Sequence, residues 1–257
     1  MEIGIVGLGL IGGSLARAYA MEGHSVFAAE KDAQILSFAI LAGAVNGGAA
    51  LMVAPDSGIS QAADFKGRSI ATPQLGNTQD VSCRAWLRKN GLSCTLEGGG
   101  DCRVSPTPNA MQLQLMQQGD IAACWTVEPW VSRLEQMAGA RVLVEEPEVV
   151  TTVLTARVGW LRRHPKEAAV MIQAHKELTQ WIIDHPEEAQ KRVVEELCAL
   201  TQSEVDPALV RRAWQRLILT VDIDLPGLEQ FVKDAQDAQL LDRVPELNGM
   251  IYKPEQN

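Results

Sequence analysis

The chain has 257 residues, 46% of them apolar, enough for one large or two modest domains with ample core. Its 23 basic and 32 acidic side chains give a net charge of -9, and aromatic residues make up only 5%. That balance, with no Lys/Arg cluster and few rings to stack bases, excludes nucleic acid and anionic membrane surfaces as partners. No apolar run approaches the roughly 20 residues of a membrane-spanning helix.

The opening reads strand, turn, helix, strand. Ile3, Ile5 and Val6 form a short apolar run that ends in glycines, as a buried parallel strand does. Ser14–Glu22 has helical spacing, with Leu15, Ala18 and Tyr19 on one face and Gly23 placed to end it. Ser25–Ala29 is a second strand. Asp32 is then expected to cap a helix through Ile35, Leu36, Phe38 and Leu41, stopped by Gly43. Nine of the 21 glycines fall within the first 48 residues, whereas the first of 12 prolines is Pro55. This change of texture marks a seam near Gly43–Gly48.

Residues 49–127 alternate strands with helices. Ala49–Val53, Ser69–Ala71 and Ile121–Trp125 read as strands. Thr78–Asn90 and Asn109–Gln118 read as helices closed by Gly91 and Gly119, and Gly98–Gly100 as a loop. Helices set between short strands imply a parallel or mixed sheet, hence an α/β fold. From Pro165 onward the chain is mostly helical. His164-Pro165-Lys166-Glu167-Ala168 and His185-Pro186-Glu187-Glu188-Ala189 are two copies of one helix start, with proline at the first helical position. Further helices are expected from Pro207 to about Leu217 and from Pro226 to about Ala238.

Gly7-Leu8-Gly9-Leu10-Ile11-Gly12 follows a strand and opens a helix. In a dinucleotide site Gly7 makes the tight turn, Gly9 lets the pyrophosphate approach the backbone, and Gly12 lets helix pack on strand. Glu30, at the end of the next strand, stands where a carboxylate takes ribose hydroxyls and favours NAD over NADP. Residues 1–46 resemble the N-terminus of the prephenate/arogenate dehydrogenase family, through Ile3–Leu15, Gly23-His24-Ser25-Val26 and Leu41-Ala42-Gly43-Ala44-Val45. The resemblance implies NAD-dependent oxidative decarboxylation. The family's catalytic histidine and helical dimerisation domain have no matching positions after residue 46. A βαβ unit that keeps the fingerprint and does no chemistry therefore stands ahead of a working dehydrogenase.

Asp64–Asp80 places a strand, a polar turn and a helix start in succession. Backbone N–H groups around Gly76–Gln79, with the Thr78 hydroxyl and the amides of Gln74, Asn77 and Gln79, would form a neutral anion trap at a helix N-terminus. Plain capping by Asn77 or Thr78 is the alternative reading. Asn109 begins a second helix after a polar turn. Trp125-Thr126-Val127-Glu128-Pro129-Trp130 leaves a strand where a crossing between lobes is expected.

Residues 47–250 resemble the substrate-binding proteins of ABC importers for aliphatic sulfonates, nitrate and taurine, chiefly through Ala71–Asp80 and Glu128-Pro129-Trp130. The resemblance implies a two-lobe, type II periplasmic-binding-protein fold with a Rossmann-like βαβ standing in for the start of lobe 1. Lobe 2 would span about residues 66–127. Lobe 1 would combine residues 1–65 with about 128–257. It also implies a small anionic solute, a transporter permease as partner, and ligand contacts from Gln74, Gly76, Asn77, Thr78, Gln79, Asn109, Trp125, Glu128 and Trp130, with the Gly76–Gln79 turn facing the cleft. A non-enzymatic binding protein that needs no cofactor is the leading expectation. An NAD-binding dehydrogenase-like protein using Gly7, Gly9, Gly12 and Glu30 is the alternative, and a chimera that folds but binds nothing is the third.

The remaining signals are quieter. Cys83, Cys94, Cys102, Cys124 and Cys198 contain no C-x-x-C pair and fit neither a disulfide framework nor a zinc site. A single bridge between Cys94 and Cys102 stays open for an oxidising compartment. His24, His164, His175 and His185 are read as capping and packing residues, Asp222 and Asp224 as a solvated strand or turn. Met1–Val6 lacks the basic and apolar regions of an export signal, so the chain is expected in the cytoplasm, whereas the resemblance implies the periplasm.

Overall fold

The computed structural model describes residues 2–6, 25–28, 38–242, 244 and 247–253. The chain divides into two compact units. Unit 1 is Met1–Asn46, Glu148–Leu225 and Glu246–Asn257, and unit 2 is Gly47–Pro147 with Pro226–Pro245. Unit 2 is wider than the 66–127 expected for the second lobe, because the strands on either side of that range pair into its sheet. The passage expected beside Pro129 falls instead between Pro147 and Glu148.

Among the described residues, unit 1 is built on a five-stranded sheet. Its strands are β1 (Glu2–Val6), β2 (Ser25–Ala28), β3 (Phe38–Gly47), β9 (Val150–Arg157) and β10 (Leu217–Leu219), in the order β10-β3-β9-β1-β2. β1 and β2 are parallel, with Ile3 opposite Val26, whereas β9 runs antiparallel to both β1 and β3.

Phe38–Leu41 was expected to be helical and is instead the start of β3. The spacing of Phe38 and Leu41 suits a helix, but Ala39–Val45 is also an unbroken run of small and apolar residues. Such a run suits a strand covered on both faces, and every residue from Ala39 to Val45 is buried. Gly43, expected to end a helix, lies mid-strand where the backbone of residues 220–222 closes in. Its N–H donates to the Val221 carbonyl at 3.0 Å, and a Cβ there would lie 2.1 Å from the Asp222 carbonyl oxygen.

Helices cover this sheet: α4 (Val158–Arg163), α5 (Pro165–Asp184), α6 (Pro186–Thr201) and α7 (Pro207–Trp214). Ala168, Met171 and Ile172 of α5 pack against Leu41, Ala42, Leu154 and Trp160. Buried His175 places Nε2 2.8 Å from the Gly43 carbonyl. A carbonyl only accepts, so that nitrogen carries the hydrogen. The two His-Pro helix starts share one local device. His164 stacks on Trp160 with ring centroids 5.3 Å apart, and His185 on Trp181 at 5.1 Å. Each ring sits one turn beyond its tryptophan, at the joint where proline begins the next helix.

Unit 2 carries a second five-stranded sheet of β4 (Ala49–Val53), β5 (Ser69–Thr72), β6 (Arg103–Pro106), β7 (Ala123–Val127) and β8 (Arg141–Glu145), in the order β6-β5-β7-β4-β8. The chain enters it through Gly47 and Gly48, whose φ of 75° and 77° is left-handed backbone that glycine adopts without a Cβ clash. β5 is parallel to β6 and β7, while β4 is antiparallel to β7 and β8. Alternation splits the side chains cleanly. Leu51, Val53, Ile70, Ala123 and Trp125 join Phe65, Cys83 and Leu87 on one face. Ala50, Met52, Ala71 and Cys124 join Met116, Val131 and Leu134 on the other. The helices α1 (Thr78–Lys89), α2 (Asn109–Gln118) and α3 (Trp130–Ala138) therefore lie on both faces, α1 on the first and the other two on the second. A last helix, α8 (Leu225–Asp237), returns to unit 2.

Gly43→Ala should destabilise unit 1 by about 1–3 kcal/mol, because strand and loop must part to admit one methyl group. Denaturant unfolding measures this, and an unchanged midpoint would show that the residues 220–222 loop yields without cost.

Candidate functional site

β5, β6 and β7 point the same way, so their carboxyl ends share one edge of the unit 2 sheet. Each strand is followed by a helix that starts at that edge. α1 lies on one face and α2 on the other, so the connections leaving β5 and β6 diverge across it. An open α/β sheet gathers ligand contacts at such a divergence, outside the carboxyl ends of its strands.

Asp80 organises the α1 start. Its side chain is fully buried and accepts from the Thr72 hydroxyl at 2.8 Å, the Gly76 N–H at 3.0 Å and Arg84 Nε at 2.9 Å. Burial works against the Arg84 charge, yet the hydrogen bond and charge of Asp80 hold its proton more firmly than usual. Asn77 is the N-cap, its Oδ1 accepting the Asp80 N–H at 2.9 Å while its Nδ2 donates to Gln79 Oε1 at 3.2 Å. The Asn77 N–H donates to the Gln74 carbonyl.

The expected trap is thus narrower than the sequence suggested. Gly76, whose φ of 75° shapes the turn, has given its N–H to Asp80. Asn77 is a cap, and the buried Gln79 side chain has its oxygen engaged. The groups left by helix geometry are the N–H of Thr78 and of Gln79, which have no acceptor one turn back, together with the half-buried Thr78 hydroxyl. Gln74 is exposed beside them.

Asn109 stands at the start of α2, where its Oδ1 accepts the Thr126 hydroxyl from the end of β7 at 2.8 Å. The same edge is closed by the Thr107 N–H donating to the Thr72 carbonyl. Gln112, one turn into α2, is fully buried and donates to the Thr107 carbonyl at 2.8 Å. Its Oε1 has no hydrogen-bond partner among the described residues. Sequence reasoning passed over Gln112, Arg84 and the inward aim of Asp80. The available signal was a polar residue within the core-facing stripe of each helix.

Two expected contacts are placed elsewhere. Trp125 is fully buried in the core, its ring centroid 6.2 Å from that of Trp86, so it presents no surface to lie along a ligand. Period-2 alternation from Ala123 puts it on the α1 face. Glu128 is also buried and serves α3, accepting from the Ser132 N–H at 3.1 Å and the Ser132 hydroxyl at 3.0 Å. Its carboxylate therefore occupies the positive end of α3. Trp130 is partly exposed at the start of α3, with the Arg133 guanidinium 4.8 Å from its ring centroid. The fingerprint residues Gly7, Gly9, Gly12 and Glu30 lie outside the described residues. Among the described residues no group of three or more His, Cys, Asp or Glu could hold a metal, and no helix is long and apolar enough to cross a membrane.

The NMT1-like family matches residues 11–199, and the chain belongs to it. Its fold is that of the periplasmic solute-binding proteins. Among solved structures, it is similar to the periplasmic aliphatic sulphonate binding protein SsuA from Escherichia coli, with TM-score 0.73 and 15% identity over 100% of this chain and 93% of that one. It is similar too to the alkanesulfonate-binding protein SsuA from Xanthomonas axonopodis pv. citri bound to MOPS, with TM-score 0.70 and 14% identity over 98% of each chain. The periplasmic nitrate-binding protein NrtA from Synechocystis PCC 6803 matches with TM-score 0.64 and 15% identity over 82% of this chain and 63% of that one. No curated protein matches the sequence.

Asp80→Asn should cost about 3–5 kcal/mol of stability, since it leaves the Arg84 charge buried without its counter-ion. Thermal unfolding of the variant checks this, and a loss under 1 kcal/mol would mean that Arg84 finds solvent on its own.

Proposed function

We propose that the chain is the solute-binding component of an ABC importer, taking a small organic anion of the sulfonate, taurine or nitrate kind and performing no chemistry on it. What carries the reading is the α1 start. Its Thr78 and Gln79 N–H groups and the Thr78 hydroxyl stand at the carboxyl edge of β5, and the neighbouring acid Asp80 is already neutralised by Arg84. Backbone donors at a helix start suit a singly charged head group. Family membership and the sulphonate- and nitrate-binding proteins that share this fold support the same ligand class. The reading pairs the chain with a membrane permease and places its work in the periplasm.

A second reading, an NAD-binding protein of the prephenate/arogenate dehydrogenase kind, has one observation in its favour. β1 and β2 are parallel, as the strand–turn–helix–strand unit of the fingerprint requires. Against it, the other neighbour of β1 is the antiparallel β9, where a dinucleotide fold places the first parallel strand of its second half. We therefore read residues 1–46 as needing no cofactor. The family match spans the 43–48 seam, which speaks for one continuous family chain rather than a join of two parents.

Calorimetry with alkanesulfonates, taurine, nitrate and NAD tests these readings together. One of the anions should bind, and Thr78→Ala should weaken it tenfold or more by removing a charge-assisted hydrogen bond of about 1.5–3 kcal/mol. Gly9→Ala should leave that affinity unchanged. Tight NAD binding lost in Gly9→Ala would transfer the site to unit 1, and no heat with any anion would favour a chain that folds without binding.

A further inference from the structure

Residues 93–102 form a loop drawn shut at its neck. The Ser93 carbonyl accepts from the N–H of Asp101 at 2.9 Å and of Cys102 at 3.2 Å. The Asp101 carboxylate accepts in return from the Ser93 N–H at 2.9 Å and the Ser93 hydroxyl at 2.7 Å. Cys94 faces Gly100 in an antiparallel bridge. The Cys102 N–H bond to the Ser93 carbonyl brings its backbone beside that of Cys94. Both thiols border the same apolar cluster, and the Cys102 thiol donates to the Ser93 carbonyl at 3.6 Å.

The pair differs in kind from the other cysteines. Cys83 and Cys124 are fully buried, and burial pushes both thiols up, which keeps them protonated and unreactive. Cys94 is only half-buried. The neighbouring Cys102 thiol brings the Cys94 thiol down to about 7, against the effect of burial and with help from the Arg84 charge. Arg84 Nη1 lies 3.9 Å from Cys94 Sγ. Cys102 is pushed the other way, first by the neighbouring Cys94 thiol and then by burial. Half-buried Cys94, beside the Arg84 guanidinium, is thus the nucleophile, and buried Cys102 is the resolving thiol.

We propose that Cys94 and Cys102 are a redox-active pair that closes to an intramolecular disulfide when the chain meets a small-molecule disulfide such as oxidised glutathione. The Cys94 thiolate attacks one sulfur of the reagent, forms a mixed disulfide and releases a thiolate that takes up a proton. Cys102 then loses its proton and attacks Cys94 Sγ, expelling the second thiolate, which is protonated in turn. Two protein thiols are oxidised and one disulfide is reduced to two thiols. Bridging requires the Cβ atoms to stand about 3.8 Å apart. The φ of 85° at Gly98 and 105° at Gly100 shows a backbone already using glycine's freedom beside the neck.

The test takes the full reduced chain, treats it with oxidised glutathione, and alkylates the remaining thiols under denaturing conditions. Mass spectrometry should find the chain lighter by two hydrogens, with alkyl groups on Cys83, Cys124 and Cys198 alone. After cleavage at Glu97 the Cys94 and Cys102 peptides should stay joined until reductant is added. Oxidation should raise Tm by about 5–10 °C in wild type and leave it unchanged in Cys94→Ser and Cys102→Ser. A glutathione adduct persisting on Cys94, a bond from Cys94 to Cys83, or an unreacted chain would each overturn the proposal, and the mapping on wild type holds even if a variant fails to fold.

Discussion

One fully buried carboxylate, that of Asp80, decides how the carboxyl edge of unit 2 is laid out. It draws together the last residue of β5, the turn at Gly76 and the first turn of α1, and Arg84 compensates its charge from one turn further along the helix. Desolvating a carboxylate and a guanidinium is expensive, and the pair is tolerable only because several donors converge on it. The consequence is geometric. Strand end and helix start cannot shift independently, so the Thr78 and Gln79 N–H groups are held at fixed positions.

Each helix start at this edge has a different claimant. Glu128 fills that of α3, and Asn109 at the start of α2 is bound to Thr126. α1 combines an internal cap with N–H groups left over. Because Arg84 cancels Asp80 locally, an anion arriving there meets the partial positive charge of the helix rather than a bare carboxylate. That field is worth a fraction of an elementary charge, which suits a singly charged head group better than a doubly charged one.

Legibility in the sequence followed the range of the interaction. Proline at Pro165, Pro186 and Pro207 marked helix starts because its effect is confined to one turn. Gly119 marked the end of α2 through its left-handed φ of 80°. Ala71–Asp80 was readable as strand, turn and helix start for the same local reason. The stretch from 38 to 41 was misread as helix because its spacing fits both periods, and only pairing with β9 decides between them. β9 itself went unassigned although Val149–Thr155 is rich in β-branched residues, a signal that was present and not used. Trp125 was placed at the site by the resemblance of the 125–130 stretch, whereas strand alternation sends it into the core.

The bounds of unit 2 were the least legible feature, and the ion pairs of α8 show why. Arg88 and Lys89 at the end of α1 reach Asp234, which is nearly buried, at 3.1 and 3.4 Å, and Arg88 also reaches Asp237 at 2.9 Å. Leu240, just beyond α8, comes within 3.6 Å of the position a Cβ would take on Gly76. Exposed pairs of this kind contribute little each, yet they meet around one acid that has little access to water. Such contacts join residues about 145 positions apart in the chain, a separation that no local pattern encodes. The 226–245 segment therefore belongs to unit 2 through its contacts with α1, and the helix that carries the candidate site is held at its start by Asp80 and at its end by Asp234.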